Sequence, residues 1–205
     1  YLQRQLVALS IGLFAGAIFL FIPISFYREN GLLLILISAF LLSLVFIPGI
    51  GVEKNGSLRW INIGFNIQPS EIAKIFVPIY LCGYCLRRKD QLETSWWGFV
   101  KPLILTSIIS VLLLLEMDLG ATIVIFAIGI LILFIGGAKF NQLLILFLVF
   151  ISIVILIAYF NEERWSRVLS FSNPWDDVRG TDYQLINALV ASVQGGFSGL
   201  GIGES

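Results

Sequence analysis

The residues best suited to chemistry lie in the stretch 68–74, where Glu71 and Lys74 stand one helical turn apart at the head of an apolar segment. Residues 75–86, which follow, carry no charge, so both ionisable side chains lie at or inside a membrane boundary. Charges at that depth are costly unless each has a partner or water, which makes the pair a candidate for lining a polar cavity. A simpler interpretation is equally open: Glu71 favours the positive end of a helix, and Lys74 extends outward to the headgroups.

A second acidic group lies between two apolar segments that almost no polar loop separates. Glu116 and Asp118 could both be solvated at an outer turn. Alternatively, Asp118 turns inward toward Lys74 or Arg59, because the segment that carries Lys74 begins on the same side of the membrane. Opposite charges at one membrane depth tend to pair.

A basic pair stands near the start of the long polar tail. Arg164 and Arg167, three residues apart, would share a helix face and could clamp a phosphate or pyrophosphate. Anchoring to lipid headgroups explains them equally well. The glycine-rich run 195–203 lacks the lysine of a P-loop and the strand–turn–helix context of a dinucleotide site, which argues against nucleotide binding.

Composition identifies a membrane protein. The chain is 58% hydrophobic and 13% charged, and its 13 basic and 13 acidic residues cancel, so no basic excess argues for nucleic acid. It has no histidine, the commonest metal ligand and general base. Cys82 and Cys85 lie inside an apolar run, which favours a buried pair of thiols over a redox or zinc site. No cofactor is identifiable, although a divalent cation is compatible with the acidic residues.

Continuous apolar runs without alternation predict an all-α membrane protein, a polytopic helical bundle at residues 1–160. A polar loop at 51–67 and a long extracytoplasmic loop at 161–205, with a short amphipathic helix near 183–193, complete the organisation. We expect six spans, at residues 6–24, 31–50, 68–86, 99–116, 119–136 and 141–160.

Basic residues in the short loops predict the orientation of these spans. The connections after the first, third and fifth spans carry more lysine and arginine than the opposite side, so we place them in the cytoplasm and the 161–205 loop outside. Tyr1 is not an initiator methionine, and Ser205 falls within a loop, so we expect an internal fragment of a larger protein. The basic residues on the expected cytoplasmic side are Arg28, Arg87, Arg88, Lys89, Lys101 and Lys139.

Several motifs, taken in order, resemble one family closely. The chain is similar to the SEDS proteins, the FtsW/RodA/SpoVE-type peptidoglycan glycosyltransferases of bacteria, and more to the FtsW division branch than to the elongation branch. The stretches that carry the resemblance are 56–61 (GSLRWI), 68–74 (QPSEIAK), 118–120 (DLG), 164–167 (RWSR), 173–175 (NPW), 183–184 (YQ) and the closing glycine-rich run.

The resemblance implies a ten-span bundle that polymerises lipid II, an undecaprenyl-pyrophosphate-linked sugar, into glycan strands on the outer face of the inner membrane. It also implies a class B penicillin-binding protein transpeptidase and other division proteins as partners. The aspartate that the family uses for catalysis is expected beyond Ser205. The cavity and substrate-binding residues implied by position are Arg59, Gln68, Glu71, Lys74, Asp118, Arg164, Arg167 and Gln184.

Two other classes of function remain open at this point. A lipid flippase or transporter could use Glu71, Lys74 and Asp118 as an intramembrane relay, although the six spans contain no internal inverted repeat. A non-catalytic scaffold could bind the membrane helix of a partner through the small residues Gly12 and Gly16.

Overall fold

The computed structural model describes residues 2–54, 57–62, 66–160, 165, 183–196, 199 and 201. Two compact units divide the chain: residues 16–147 form one, and residues 1–15 with 148–205 form the other. The described elements, in chain order, are α1 (Leu2–Phe21), α2 (Ile24–Leu44), β1 (Gly51–Lys54), β2 (Ser57–Asn62), β3 (Asn66–Ile67), α3 (Pro69–Arg87), α4 (Lys89–Thr94), α5 (Trp96–Leu115), α6 (Leu119–Ile135), α7 (Phe140–Tyr159) and α8 (Tyr183–Gly195).

Three described helices, α2, α5 and α7, are long and apolar enough to cross a membrane. The apolar part of α1 (Gln5–Phe21), all of α6 and the stretch Leu185–Gly195 of α8 are shorter. The mostly helical character matches the expectation, while the number of six spans stays a prediction. The helix expected near residues 183–193 is confirmed as α8.

The second helix begins earlier than the predicted span at 31–50. Pro23 precedes α2 in an extended conformation, with φ −64° and ψ 143°, and the helix starts at Ile24. Proline fixes φ near this value and is well tolerated at a helix start. Arg28 therefore lies inside α2, and not in a loop after the first span as the orientation argument assumed.

The expectation of an all-α chain is wrong for the loop 51–67, which holds a three-stranded antiparallel sheet in the order β1-β2-β3. Alternate residues of a strand face opposite sides, and β2 has such an alternation. Ile61 on one face is 5% exposed, whereas Leu58 on the other is 40% exposed. Arg59 shares the face of Ile61, so the sheet directs this guanidinium toward the helices.

Helices α2 and α3 approach each other closely at two glycines. A Cβ on Gly31 would lie 3.1 Å from Cα of Tyr80, and one on Gly83 would lie 3.1 Å from the carbonyl oxygen of Arg28. The main core of the larger unit is built around this contact by apolar side chains of α2, α3, α5 and α6. They are Ile35, Leu42, Ala73, Val77, Tyr80, Leu81, Ile109, Leu113, Ala121 and Ile125.

A second buried cluster lies at the start of α5, with Cys85, Leu92 and Phe99 among its members. The interpretation of the two cysteines as a buried pair holds for Cys85 alone, because Cys82 is exposed; both are free thiols. The two thiols lie about 60° apart around the helix axis, so Cys85 reaches the core while Cys82 lies at the edge of the same face.

A tyrosine on α3 satisfies a backbone group that a proline leaves free on α5. Pro102 has no N–H, so the carbonyl of Gly98 has no helical donor four residues along. The Tyr84 hydroxyl donates to that carbonyl at 2.7 Å. Because the bond is buried, it fixes the start of α5 against α3.

Replacing Tyr84 with phenylalanine should destabilise the protein by about 1–3 kcal/mol, since the Gly98 carbonyl would be buried without a donor. The free energy of unfolding of the full-length protein in detergent is the measurement. Tyr27→Phe is the matched control, because the Tyr27 hydroxyl donates to the Phe19 carbonyl at an exposed position. Equal losses in the two variants would contradict this account.

Candidate functional site

The polar site forms where α3 begins. Gln68 precedes the helix in an extended conformation, Pro69 takes the first helical position, and Ser70 is fully buried. Gln68 makes no side-chain capping bond to the helix. Its amide nitrogen instead donates to the hydroxyl oxygen of Ser70 at 3.0 Å. The sequence thus places two polar side chains, Gln68 and Ser70, where α3 begins.

The Asp118 carboxylate joins the start of α3 to the start of α6. Its Oδ1 accepts the backbone N–H of Ala121 at 3.1 Å and caps α6. Its Oδ2 accepts from the Ser70 hydroxyl at 3.1 Å and from the Gln68 amide at 3.3 Å. The side chain is 7% exposed, so these three donors replace water around its negative charge.

Of the two interpretations of Asp118, the structure agrees with the inward turn and not with a solvated one, but the described hydrogen bonds join the carboxylate to neither Lys74 nor Arg59. Its acceptors are taken by the shorter side chains at the first turn of α3, which lies directly against it. The sequence indicates the membrane depth of a charge, but it does not give the reach and packing that select its partner.

Arg59 binds the turn between α5 and α6. Its Nε donates to the carbonyl of Glu116 at 3.3 Å and its Nη2 to the carbonyl of Met117 at 2.5 Å. Met117 has a φ of 60° and is the one non-glycine residue among the described positions with a positive φ. That conformation costs on the order of 1 kcal/mol, and the two bonds from the guanidinium help to hold it.

Glu116 is a residue of the site whose burial the sequence does not indicate. It lies in the turn outside both helices, it is 1% exposed, and neither carboxylate oxygen has a hydrogen-bond partner among the described residues. Burial raises the pKa of Glu116 to about 8; the neighbouring Asp118 adds to the rise and Arg59 opposes it. At neutral pH this side chain is mostly a neutral acid.

Glu71 and Lys74 form an ion pair with each other, with Nζ and Oε1 2.7 Å apart. The Lys74 side chain is 27% exposed and that of Glu71 is 60% exposed. This geometry agrees with the simpler interpretation of a pair on the first turns of a helix, and it adds a few tenths of a kcal/mol to stability. The described hydrogen bonds do not join the pair to Asp118 or Arg59.

The structure brings Arg59, Gln68 and Asp118 together through Ser70 and the turn. Arg164 and Arg167 lie outside the described residues, as does the side chain of Gln184, although its backbone belongs to α8. Among the residues that the structure describes, no three histidine, cysteine, aspartate or glutamate side chains are grouped to hold a metal ion.

Positive and negative groups nearly balance at the site. The N-termini of α3 and α6 meet there, each with a partial positive charge, and the Asp118 carboxylate lies between them. The Arg59 guanidinium is bound to two backbone carbonyls, and the Lys74 ammonium is paired with Glu71. Helix N-termini and an ammonium in a partly exposed ion pair are groups that can meet a phosphate.

Comparison with known proteins gives a consistent result. The family model for FtsW, RodA and SpoVE, described as cell cycle protein, matches residues 1–205. A relative from Pseudomonas fluorescens is 42% identical over 203 residues, covering 98% of this chain and 50% of the relative. One from Hahella chejuensis is 37% identical over 206 residues, covering 100% of this chain and 52% of the relative. Both are named probable peptidoglycan glycosyltransferase FtsW, and the chain spans about half of their length.

Two solved structures share the fold. A chain from work on the structural coordination of polymerization and crosslinking by a peptidoglycan synthase complex superposes with a TM-score of 0.72 and 28% identity, over 93% of this chain and 56% of that one. The Thermus thermophilus rod shape determining protein RodA gives a TM-score of 0.64 and 29% identity, over 74% of this chain and 50% of that one.

The raised pKa of Glu116 makes a prediction about stability and pH. The folded protein holds this proton up to about pH 8, whereas the unfolded chain releases it near the ordinary value of 4.5. Stability should therefore fall as pH rises from about 4.5 to 8 and stay low above that range. Glu116→Gln, which mimics the neutral acid, should gain on the order of 2–4 kcal/mol over the wild type by pH 8.5 and little at pH 5.

The measurement is the free energy of unfolding of both proteins across that pH series. Glu53→Gln, at an exposed position on β1, is the control for removing one acidic charge. A difference between Glu116→Gln and wild type that stays constant with pH would show that Glu116 is not held neutral.

Proposed function

The chain belongs to the FtsW/RodA/SpoVE family of cell cycle proteins, and on that premise we propose that the full-length protein is a peptidoglycan glycosyltransferase. It would polymerise lipid II into glycan strands during bacterial cell division or cell-wall growth. The names of its relatives support this assignment. The family and the three apolar helices make it an integral membrane protein. We place it in the bacterial plasma membrane, with six spans in this chain and residues 161–205 outside.

The observation that carries the proposal is the polar network at the shared end of α3 and α6. A lipid-linked pyrophosphate keeps its hydrocarbon in the bilayer and its charged head at the surface, so its site must lie at a helix end. Asp118, Ser70 and Gln68 connect two helix N-termini there, and Arg59 is bound to the adjoining turn. Helix N-termini with nearby cations suit a pyrophosphate.

The chemistry assigns a role to each group. The acceptor sugar hydroxyl attacks the anomeric carbon of the donor strand, the bond from that carbon to the pyrophosphate oxygen breaks, and polyprenyl pyrophosphate leaves with the electron pair. The hydroxyl proton passes to a general base, a role that we assign to no residue of this chain. Lys74, Arg164 and Arg167 would stabilise the pyrophosphate.

The other residues of the site would orient the substrate and keep the site in shape. Arg59 would hold the turn, and Gln68, Glu71, Asp118 and Gln184 would line the cavity. No described residue is assigned to a metal, although a divalent cation on the pyrophosphate is compatible with the reaction.

We further propose a class B penicillin-binding protein transpeptidase and other division proteins as partners. The support is the structural neighbour, which comes from a peptidoglycan synthase complex that coordinates polymerization and crosslinking. A polymerase that hands its glycan to a crosslinking enzyme gains by holding that enzyme beside it.

The main test is polymerisation of purified lipid II by the full-length protein with its transpeptidase, measured as glycan product on gels. Arg59→Lys keeps the charge but loses the two-pronged contact, so product formation should fall at least about ten-fold as the turn is misplaced. Arg28→Lys, in an exposed ion pair on α2, is the control and should polymerise at the wild-type rate. An inactive wild-type protein would overturn the proposal, and an Arg59→Lys variant as active as wild type would overturn the role given to Arg59.

The ion pair between Glu71 and Lys74 allows a separate test of the proposed substrate site. Lys74→Ala should lower lipid II polymerisation at least about ten-fold, because the ammonium would no longer face the pyrophosphate. Loss of the ion pair should change the free energy of unfolding by less than about 0.5 kcal/mol, since the Glu71 carboxylate is largely exposed. Glycan assays and unfolding measurements on the same preparations separate the two effects. Unchanged polymerisation would remove Lys74 from the site and leave the pair as a feature of the helix surface.

A further inference from the structure

A depression lies at the other end of α5 from the polar network, at the elbow between α4 and α5. Its volume is about 500 Å³, and it is open to the surface. With about 1.5 Å of rise per residue, the 20-residue helix separates the two places by roughly 30 Å. The lining residues are Gln91, Ser95, Trp97, Gly98 and Lys101.

Lys101 is the unusual member of this lining. It lies inside a helix that is apolar enough to cross a membrane, one turn from Trp97, and its side chain is exposed. Among the described residues no carboxylate lies within ion-pair distance of it; the described pairs are Arg28–Glu29, Lys74–Glu71 and Lys89–Glu93. An ammonium at the end of a membrane helix extends to the headgroup layer, where it needs an anion.

Polar groups that suit a phosphate surround this ammonium. The Ser95 hydroxyl oxygen accepts from the backbone N–H of Trp97 at 3.2 Å, so its own hydrogen is available to a ligand. The amide of Gln91 supplies further donors. Trp97 is 67% exposed and Trp96 is 55% exposed, as is typical of aromatic side chains at the membrane interface.

The floor of the depression is rigid before any ligand binds. A Cβ on Gly98 would lie 2.0 Å from the carbonyl oxygen of Gln91, so α4 and α5 touch through backbone at this point. The bond from Tyr84 to the Gly98 carbonyl fixes the same residue from α3. A preformed site loses little conformational entropy on binding.

The surface below Lys101 suits hydrocarbon. Ile104, Ile108 and Val111 follow at intervals of three and four residues, so they share the face of Lys101, and they are 50%, 47% and 54% exposed. The stretch 87–101 carries four basic and two acidic residues, and Glu93 is paired with Lys89. A basic surface next to an apolar strip is complementary to a lipid that has an anionic headgroup and an acyl chain.

We propose that the α4–α5 elbow binds an anionic phospholipid, with its phosphate on Lys101, Ser95 and Gln91 and an acyl chain along the exposed face of α5. The lipid is a bound component at the opposite end of the helix from the polar network. The proposal does not depend on the enzymatic activity proposed above or on which side of the membrane the elbow faces.

The test is native mass spectrometry of the full-length protein in detergent with an equimolar mixture of phosphatidylglycerol and phosphatidylcholine that have identical acyl chains. The wild type should retain phosphatidylglycerol preferentially, and Lys101→Gln should lower that preference about five-fold. Lys101→Arg should keep the preference, because it retains the charge. Lys139→Gln, at an exposed lysine before α7 that does not line the depression, is the matched control and should behave like wild type.

Several outcomes would overturn the proposal. Equal retention of the two lipids by the wild type would exclude a site for an anionic head. Equal losses in Lys101→Gln and Lys139→Gln would indicate a diffuse attraction of lipid to basic surface and not a site. Equal loss of both lipids in Lys101→Gln and Lys101→Arg would indicate a packing defect, which the unfolding midpoint of each variant measures independently.

Discussion

One buried carboxylate determines how the two central helices of the larger unit meet. Asp118 caps α6 and also accepts two hydrogen bonds from the first turn of α3, so a single charged group fixes both helix starts at one level. Each charge-assisted bond contributes about 1.5–3 kcal/mol, and losing the acceptor would leave the fully buried Ser70 hydroxyl unsatisfied. The turn that Arg59 binds and the unfavourable φ of Met117 both depend on this junction.

Among the described charged groups around that junction, the Lys74 ammonium is the cation that is available to bind an anion. Glu116 is mostly neutral at pH 7, because burial raises its pKa to about 8. The Asp118 carboxylate is satisfied by its three donors, and the Arg59 guanidinium is bound to two backbone carbonyls. Lys74 is held by Glu71, but an exposed ion pair is weak, so the ammonium can exchange this partner for a phosphate at little cost. An ion pair that is easily replaced suits a site that must bind an anionic substrate and then release the product.

The sequence predicts the apolar helices, because hydropathy is a local property, but it leaves open whether Asp118 is solvated or turns inward. It did not predict the partners of Asp118, which depend on side-chain reach across two helices. The sheet was missed although Asn55-Gly56, a strong hairpin signal, stands between its first two strands. Glu116 was left unassigned because an acid at a helix end is usually solvated, and only the packed structure shows its burial.

Each of the helices α3 and α5 contains a proline, Pro78 and Pro102, and the backbone carbonyls that these prolines free differ in their partners. At Pro102 the freed carbonyl of Gly98 receives the Tyr84 hydroxyl, so the irregularity becomes a fixed contact between α3 and α5. At Pro78 the carbonyl that loses its helical N–H belongs to Lys74, the residue whose ammonium is proposed to meet the substrate. Pro102 therefore helps to fix the start of α5 against α3. Pro78 leaves the backbone carbonyl of Lys74, at the site, without a helical donor.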